Sequence, residues 1–210
     1  MRELSRGAEA TIYLDNGKAI KERAEKRYRH AKIDAHLRKT RTAAEARLLN
    51  RARRAGLNTP KIFAVEKYRI EMEHVKGEKL KDILDEKGSA EIGKLMKKLG
   101  AEIAVMHNSG IIHGDLTTSN VIKADNSLYF IDFGLGEVSN STEKKSTDLK
   151  LLKNVIKSTH SKHEKEFAHF IEGYSGRSDN PKEILGRLGD IETRGRYAKR
   201  KKEEKAETES

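Results

Sequence analysis

An aspartate at 115, an asparagine at 120 and a second aspartate at 132 supply the groups needed to move a phosphoryl group. Asp115 closes His113-Gly114-Asp115, Asn120 ends Leu116-Thr117-Thr118-Ser119-Asn120, and Asp132 opens Asp132-Phe133-Gly134 after an apolar run. Such chemistry needs one carboxylate beside the attacking hydroxyl or water. It also needs hard oxygen ligands for a magnesium ion that offsets triphosphate charge. Asp115 suits the first task, and Asn120 with Asp132 suits the second. An isolated Asp-Phe-Gly is a common turn, and His-Gly-Asp alone reads as a glycine turn with a capping aspartate. Their order adds weight. The apolar pair Ile111-Ile112 leads into the loop, Val121-Ile122 begins a short strand, and Asn126 marks a turn. Leu128 to Ile131 then forms the strand that delivers Asp132.

This is the layout of a kinase catalytic loop and its metal-binding strand end, so the rest of an ATP site should lie upstream. Gly7-Ala8-Glu9-Ala10 is a small-residue loop entering a strand, Asn16-Gly17 is a hairpin signal, and Ala19-Ile20-Lys21 opens the next strand. Gly7, Ala8, Glu9 and Ala10 are therefore expected to cover the nucleotide phosphates, with Lys21 on the alpha and beta phosphates. Gly7 alone replaces a three-glycine pattern, which leaves fewer close backbone approaches to phosphate. An acid at Glu9 must face a metal or a basic partner; it can also gate the nucleotide or contact Lys21, and the sequence does not choose. A helix over Arg41 to Ala55, ended by Gly56, contains Glu45 as its sole acid. Glu45 is the expected partner of Lys21. Ile70 and Met72 alternate with Glu71 and Glu73, as in a half-buried strand. A hinge follows, in which the backbones of Glu73 and Val75 meet adenine and Met72 backs the pocket. Gly77 then releases a helix over Lys79 to Glu86.

Composition narrows the setting. The chain has 210 residues and no apolar run of spanning length, so a soluble, cytoplasmic protein with no membrane role is expected. The absence of cysteine excludes disulfides, thiolate catalysis and cysteine-based zinc sites, and the eight histidines lack ligand spacing. A formal charge of +11 asks for a polyanionic partner or a strongly solvated surface. The charged fraction of 37% also suits a heat-adapted protein, so charge alone does not show nucleic-acid binding. Basic runs concentrate at Lys26 to Lys32, at Arg51 to Arg54 and in Arg194-Gly195-Arg196-Tyr197-Ala198-Lys199-Arg200. Solvated surface explains them, yet spaced Arg and Lys with an interleaved Tyr also suit an RNA backbone.

Absences matter too. No Ala-Pro-Glu follows Asp-Phe-Gly, the stretch Leu135 to Thr147 is short and polar, and Asp148 is expected to open an amphipathic helix. Gly114 and Thr117 stand where many kinases carry an Arg and a Lys. A peptide-docking platform and activation-loop control are therefore not expected. Helices are expected at Ala90 to Asn108, with Ile92, Leu95, Leu99 and Ile103 as its apolar face, and at Glu164 to Gly173 and Pro181 to Gly189.

Several blocks, Arg6 to Ala10, Ile20 to Arg23, Lys26 to His30, Leu37 to Arg47 and His113 to Asn120, together resemble the small atypical kinase family of the KEOPS complex, over about Arg2 to Lys202. The resemblance implies an α+β, bilobal protein-kinase-like fold with a small N-lobe sheet and a reduced helical C-lobe lacking the activation-segment anchor. The corresponding divisions are 1–75 for the N-lobe, 76–193 for the C-lobe and 194–210 for a basic, flexible tail. It implies an atypical Ser/Thr kinase and ATPase that uses ATP and Mg2+ in support of threonylcarbamoyladenosine formation on tRNA reading A-starting codons. Its implied partners are a larger metal-dependent ATPase-fold modifying subunit, the other small subunits of the complex, and tRNA. Arg194, Arg196, Lys199 and Arg200 would reach tRNA or a partner. The rivals are a free-standing kinase of the ribosome-assembly kind, a small-molecule phosphotransferase and a non-enzymatic basic adaptor. Little chain is left for a small-molecule pocket, and a scaffold has no need of Lys21, Asp115, Asn120 and Asp132.

Overall fold

Strand formation near the N-terminus follows the turn chemistry. In this computed structural model, which describes residues 1–7, 9–86 and 88–208, β1 (Arg2–Arg6), β2 (Thr11–Asp15) and β3 (Lys18–Glu22) are followed by β4 (Ile62–Val65) and β5 (Arg69–Glu73). They form one antiparallel sheet in the order β1-β2-β3-β5-β4. Asn16 and Gly17 take φ of 47° and 77°, the paired left-handed conformation that a tight hairpin requires. Side chains of Ser89, Ala90 and residues 195–208 lie outside the described residues, as does Ala8.

Between β3 and β4 runs α1 (Ala31–Arg54), whose buried stripe Thr42, Glu45, Ala46, Leu49 and Ala52 faces inward at helical spacing. The helix begins ten residues before the expected Arg41. Its first turns carry no apolar stripe and are held by charge: Arg38 Nε donates to the buried Asp34 at 2.6 Å, one helical turn away. Gly56 follows at φ 91°, a left-handed stop.

The second lobe is built on β6 (Glu78–Lys79), α2 (Leu80–Glu86), α3 (Ser89–Asn108), β7 (Ile111–Ile112), β8 (Val121–Ala124), β9 (Ser127–Phe130), β10 (Glu137–Val138), α4 (Thr142–Thr159), α5 (Phe167–Ser175) and α6 (Pro181–Thr208). β6-β8-β9 form one small sheet and β10-β7 another, the second placing Glu137 opposite Ile112 and Val138 opposite Ile111. Ile92, Leu99 and Ile103 of α3 enter a core shared with Phe130, Leu149, Leu152, Phe170 and Tyr174, while Leu95 is partly buried against it. Helices α3 and α5 touch through their backbones. A Cβ added to Gly173 would lie 1.9 Å from the Lys97 carbonyl oxygen.

Two further boundaries differ from the sequence expectation. α4 starts at Thr142, not at Asp148, because Ser141 caps it, its Oγ accepting the Lys144 backbone N–H at 3.4 Å. Its first turn is polar and shows no hydrophobic period. α6 runs from Pro181 through Thr208, well past the expected end at Gly189. Past Gly195 that segment is rich in the strong helix formers Lys, Arg, Glu and Ala, and contains no proline.

Candidate active site

Strand alternation puts Ala19 and Lys21 on one face of β3, opposite Met72 and Ile70 of β5. That face roofs a cleft of about 340 Å³ whose lining includes Lys21, Met72, Glu73, Val75, Asn120 and Asp132. Glu45 stands behind Lys21. Gly7, Glu9 and Ala10 lie in the β1–β2 loop, closed by a 2.9 Å bond from Gly7 N–H to the Ala10 carbonyl, and are not part of this lining. Glu9 does not reach Lys21 in this arrangement. It pairs with Arg41 of α1 at 2.7 Å, with Arg29 3.8 Å away, so the basic-partner alternative is the observed one.

Four charges meet at the back of the cleft. Lys21 Nζ donates to Glu45 Oε1 and to Asp132 Oδ1, both at 2.6 Å, and Arg23 Nη2 donates to Glu45 Oε2 at 2.6 Å. Lys21, Arg23 and Glu45 are buried. Burial alone would raise the Asp132 carboxyl, but adjacent Lys21 outweighs it and holds the group below the ordinary carboxylate range. Asp132 itself sits at φ 61°, a region costly for a side-chain-bearing residue, and its Oδ1 accepts the Gly134 N–H at 3.3 Å. Asp is among the few residues that offset such a backbone locally.

The catalytic-loop motif is tied down from several sides. Asn120 Nδ2 donates to the Asp115 carbonyl at 2.8 Å and to Asp115 Oδ2 at 3.0 Å. That engages the donor end of the amide and leaves Oδ1 for a cation. His113 is fully buried, packs against Phe133 with ring centroids 4.5 Å apart and planes tilted by 35°, donates from Nε2 to the Ile131 carbonyl at 3.1 Å, and accepts the Asp115 N–H on Nδ1 at 3.3 Å. This pattern fixes the neutral Nε2-protonated imidazole. From α4, Asp148 accepts the His113 N–H at 2.7 Å and the Gly114 N–H at 2.9 Å.

Asp148 and Arg23 are site residues that the sequence reading did not assign. A local signal existed for each. Asp148 is an acid entering an apolar helical stretch, and Arg23 lies two residues beyond Lys21, just past the end of β3, where continued alternation directs it to the same side. Arg194 is exposed on α6, which packs on α4 and α5; the side chains of Arg196, Lys199 and Arg200 are outside the described residues.

Gly114 has a steric reason to lack a side chain. It sits at φ 78°, and a Cβ there would lie 2.2 Å from the Leu135 carbonyl oxygen. The segment after Asp-Phe-Gly folds straight back over the loop to pair β10 with β7, occupying the space an Arg would need. Gly114→Ala is expected to cost about 1–2 kcal/mol from backbone conformation alone, with the Leu135 overlap adding to it. A melting temperature unchanged from wild type would contradict this.

Titration gives a second expectation. Burial holds His107 and His113 below the usual histidine range, so their stability contribution is complete above about pH 6.5 and is lost as pH falls through the lowered values. Glu102 works in the opposite sense. Burial pushes its carboxyl up to about 7, so it penalises the fold as pH rises. Glu102→Gln should therefore melt higher than wild type at pH 8, match it near pH 5, and show a steeper acid fall. Parallel melting curves for the two proteins from pH 5 to 8 would refute the assignment.

A small antiparallel sheet with a buried Lys–Glu pair, hinged to a helical lobe carrying His-Gly-Asp and Asp-Phe-Gly, defines a protein of protein-kinase-like fold. Solved structures agree on the fold. The Rio2 kinase–ADP/Mg2+–phosphoaspartate complex from Chaetomium thermophilum matches at TM-score 0.61 and 16% identity, covering 94% of this chain and 72% of that one. ADP-bound aminoglycoside phosphotransferase APH(2'')-Ib matches at TM-score 0.65 and 13% identity, covering 89% and 80%. The family described as RIO domain matches residues 10–170. The KEOPS complex subunit Bud32 of Pyrococcus abyssi is 41% identical over 95% of this chain and 98% of its own length. A probable bifunctional tRNA threonylcarbamoyladenosine biosynthesis protein of Methanosarcina acetivorans is 40% identical over 93% of this chain, which spans only 35% of that protein. A probable serine/threonine-protein kinase BUD32 homolog of Archaeoglobus fulgidus is 37% identical over 92% and 95%. The chain belongs to the RIO-domain family and, within it, to the Bud32 family. No helix among the described residues is long and apolar enough to cross a membrane.

Proposed function

We propose that this chain is a Mg-ATP-dependent atypical Ser/Thr kinase and ATPase of a KEOPS assembly, supporting threonylcarbamoyladenosine formation on tRNA that reads A-starting codons. The observation that carries the reading is the single cleft joining Lys21, Asn120 and Asp132, with Asp115 one hydrogen bond away, in a chain matched end to end by a Bud32 subunit. Lys21, oriented by Glu45, meets the nucleotide phosphates beneath the Gly7–Ala10 loop. Met72, Glu73 and Val75 receive adenine, the last two through backbone groups. The donor set fits a hard divalent cation, since the Asn120 amide oxygen and the Asp132 carboxylate are both oxygen ligands and Asp132 is held ionised. Magnesium bound there would neutralise phosphate charge. Asp115, held by Asn120, orients water or a hydroxyl nucleophile, so positioning and electrostatics supply most of the acceleration.

The chain's match to one part of a bifunctional relative supports a partner of separate activity, the larger metal-dependent ATPase-fold modifying subunit, alongside the complex's other small subunits. A role on tRNA supports a cytoplasmic location. The Arg194, Arg196, Lys199 and Arg200 cluster reaches tRNA or the partner. Turnover by the isolated chain is expected below the kinase range of about 1–100 per second. The test compares ATP hydrolysis by wild type and Asp132→Ala, with and without the modifying subunit and tRNA. Stimulated hydrolysis that disappears in the variant supports the reading, whereas no nucleotide binding at all would favour the adaptor. A shallow salt dependence of tRNA affinity would remove the basic cluster's role.

A further inference from the structure

Beneath the catalytic loop lies a buried polar chain that none of the roles above uses. Thr118 is the first residue of the 3-10 turn Thr118–Asn120, and it is 1% exposed. Its Oγ1 lies 3.2 Å from Nε2 of His160, and Nδ1 of the same imidazole lies 2.9 Å from Asp85 Oδ1. His160 follows α4, is also 1% exposed, and anchors its own N–H on the Ile156 carbonyl at 2.9 Å. Asp85 is on α2, where the Asp85 carbonyl accepts the Lys162 ammonium, and its carboxylate faces solvent. The direction of the chain follows from its ends. A carboxylate only accepts, so in the neutral imidazole Nδ1 carries the proton, Nε2 accepts, and the Thr118 hydroxyl donates.

The turn packs against β6, α2 and α4, and its side-chain hydrogen bond on that side comes from this chain. Its internal bond runs from Asn120 N–H to the Thr117 carbonyl at 3.1 Å, and Thr117 provides no side-chain cap. Bonds in 3-10 geometry are weaker than those of an α-helix. From above, the Asn120 side chain is tied to Asp115 and its carbonyl to the Ile131 N–H at 3.0 Å. The lower tether is the Thr118 hydroxyl. Rotation of this turn would swing the Asn120 amide oxygen relative to Asp132.

We infer that Asp85, His160 and Thr118 form a positioning chain that sets Asn120 and thereby the affinity for the divalent cation accompanying the nucleotide. The inference rests on the proposed assignment of Asn120 as a cation ligand. His160 and Thr118 are positioning residues, since neither reaches the cleft lining. A purely structural role would change stability without changing metal dependence.

The test follows ADP binding by calorimetry, first without metal and then across a Mg2+ titration, for wild type, Thr118→Val, Thr118→Ser, His160→Asn and Asp85→Ala. Thr118→Val keeps the shape and loses the donor. His160→Asn keeps a donor toward Asp85 but cannot span to Thr118. Both should need roughly tenfold more Mg2+ for half-maximal tightening of ADP, the size of one lost hydrogen bond. Metal-free ADP affinity should stay within about twofold, and Thr118→Ser should restore the wild-type Mg2+ requirement. Asp85→Ala acts from the solvent end without disturbing the core, and a shift of about twofold to threefold is expected. Lower melting temperatures with an unchanged Mg2+ requirement would overturn the inference. Insensitivity of wild-type ADP binding to Mg2+ would overturn it together with the Asn120 assignment. A wild type that binds Mg-ADP yet never hydrolyses ATP would refute the proposed activity, while the Mg2+ shifts in the variants would still support the chain.

Discussion

Asp132→Ala is expected to lower ATP hydrolysis by roughly 10³-fold, equivalent to about 4 kcal/mol of transition-state stabilisation. The carboxylate is asked to do two things in the cleft: provide a hard anionic ligand, and share Lys21 with Glu45. Its loss leaves Lys21 paired through Glu45, so the fold should persist with a melting temperature close to wild type. Asp132→Asn tests the charge separately, because it keeps the size and one oxygen; activity should still fall by at least about 10²-fold. A variant that hydrolyses ATP within a few-fold of wild type would remove Asp132 from the site.

Glu45→Ala carries the largest expected stability effect. Glu45 is the shared counter-ion of two buried cations, at 2.6 Å from each, and among the described residues it is the carboxylate paired with Arg23. Removing one member of a buried pair leaves an uncompensated charge and costs about 3–5 kcal/mol. For a chain of this size that lowers the melting temperature by roughly 6–20 °C. Adding Arg23→Met to the variant should recover part of the loss, because the orphaned cation disappears with it. A double variant whose loss equals the sum of the two single changes would argue that Arg23 is held by something other than Glu45.

What the sequence made legible, and what it hid, follows from the range of the interactions. Asn16-Gly17, the alternation of Ile70 and Met72, and the strand–turn–strand order leading to Asp132 are local, so they can be read residue by residue. The kinase-like fold followed from that order. The first ten residues of α1 carry no apolar period, being held by Asp34, Arg38 and Arg29, and so escaped notice. The opening turn of α4 was hidden because its signal is a serine cap. Asp148 gripping the loop backbone, and Asp85 meeting Thr118 through His160, join residues 34 to 75 positions apart. Contacts at such separations leave no periodic trace. Gly114 shows the reverse case: the sequence displayed a missing Arg, and the fold explains it through the carbonyl of Leu135.

Lys21 belongs to the strand lobe and Asp132 to the helical lobe, so their contact is a clasp between the two lobes at the back of the site. On the proposed role of Lys21, a nucleotide phosphate arriving there would displace part of that clasp. Admission of ligand and loosening of the two halves therefore become one event. Affinity should weaken as the halves are braced together from outside and strengthen as they are eased apart. In the proposed assembly, a neighbouring subunit would in this way set how fast nucleotide is exchanged without ever touching the cleft.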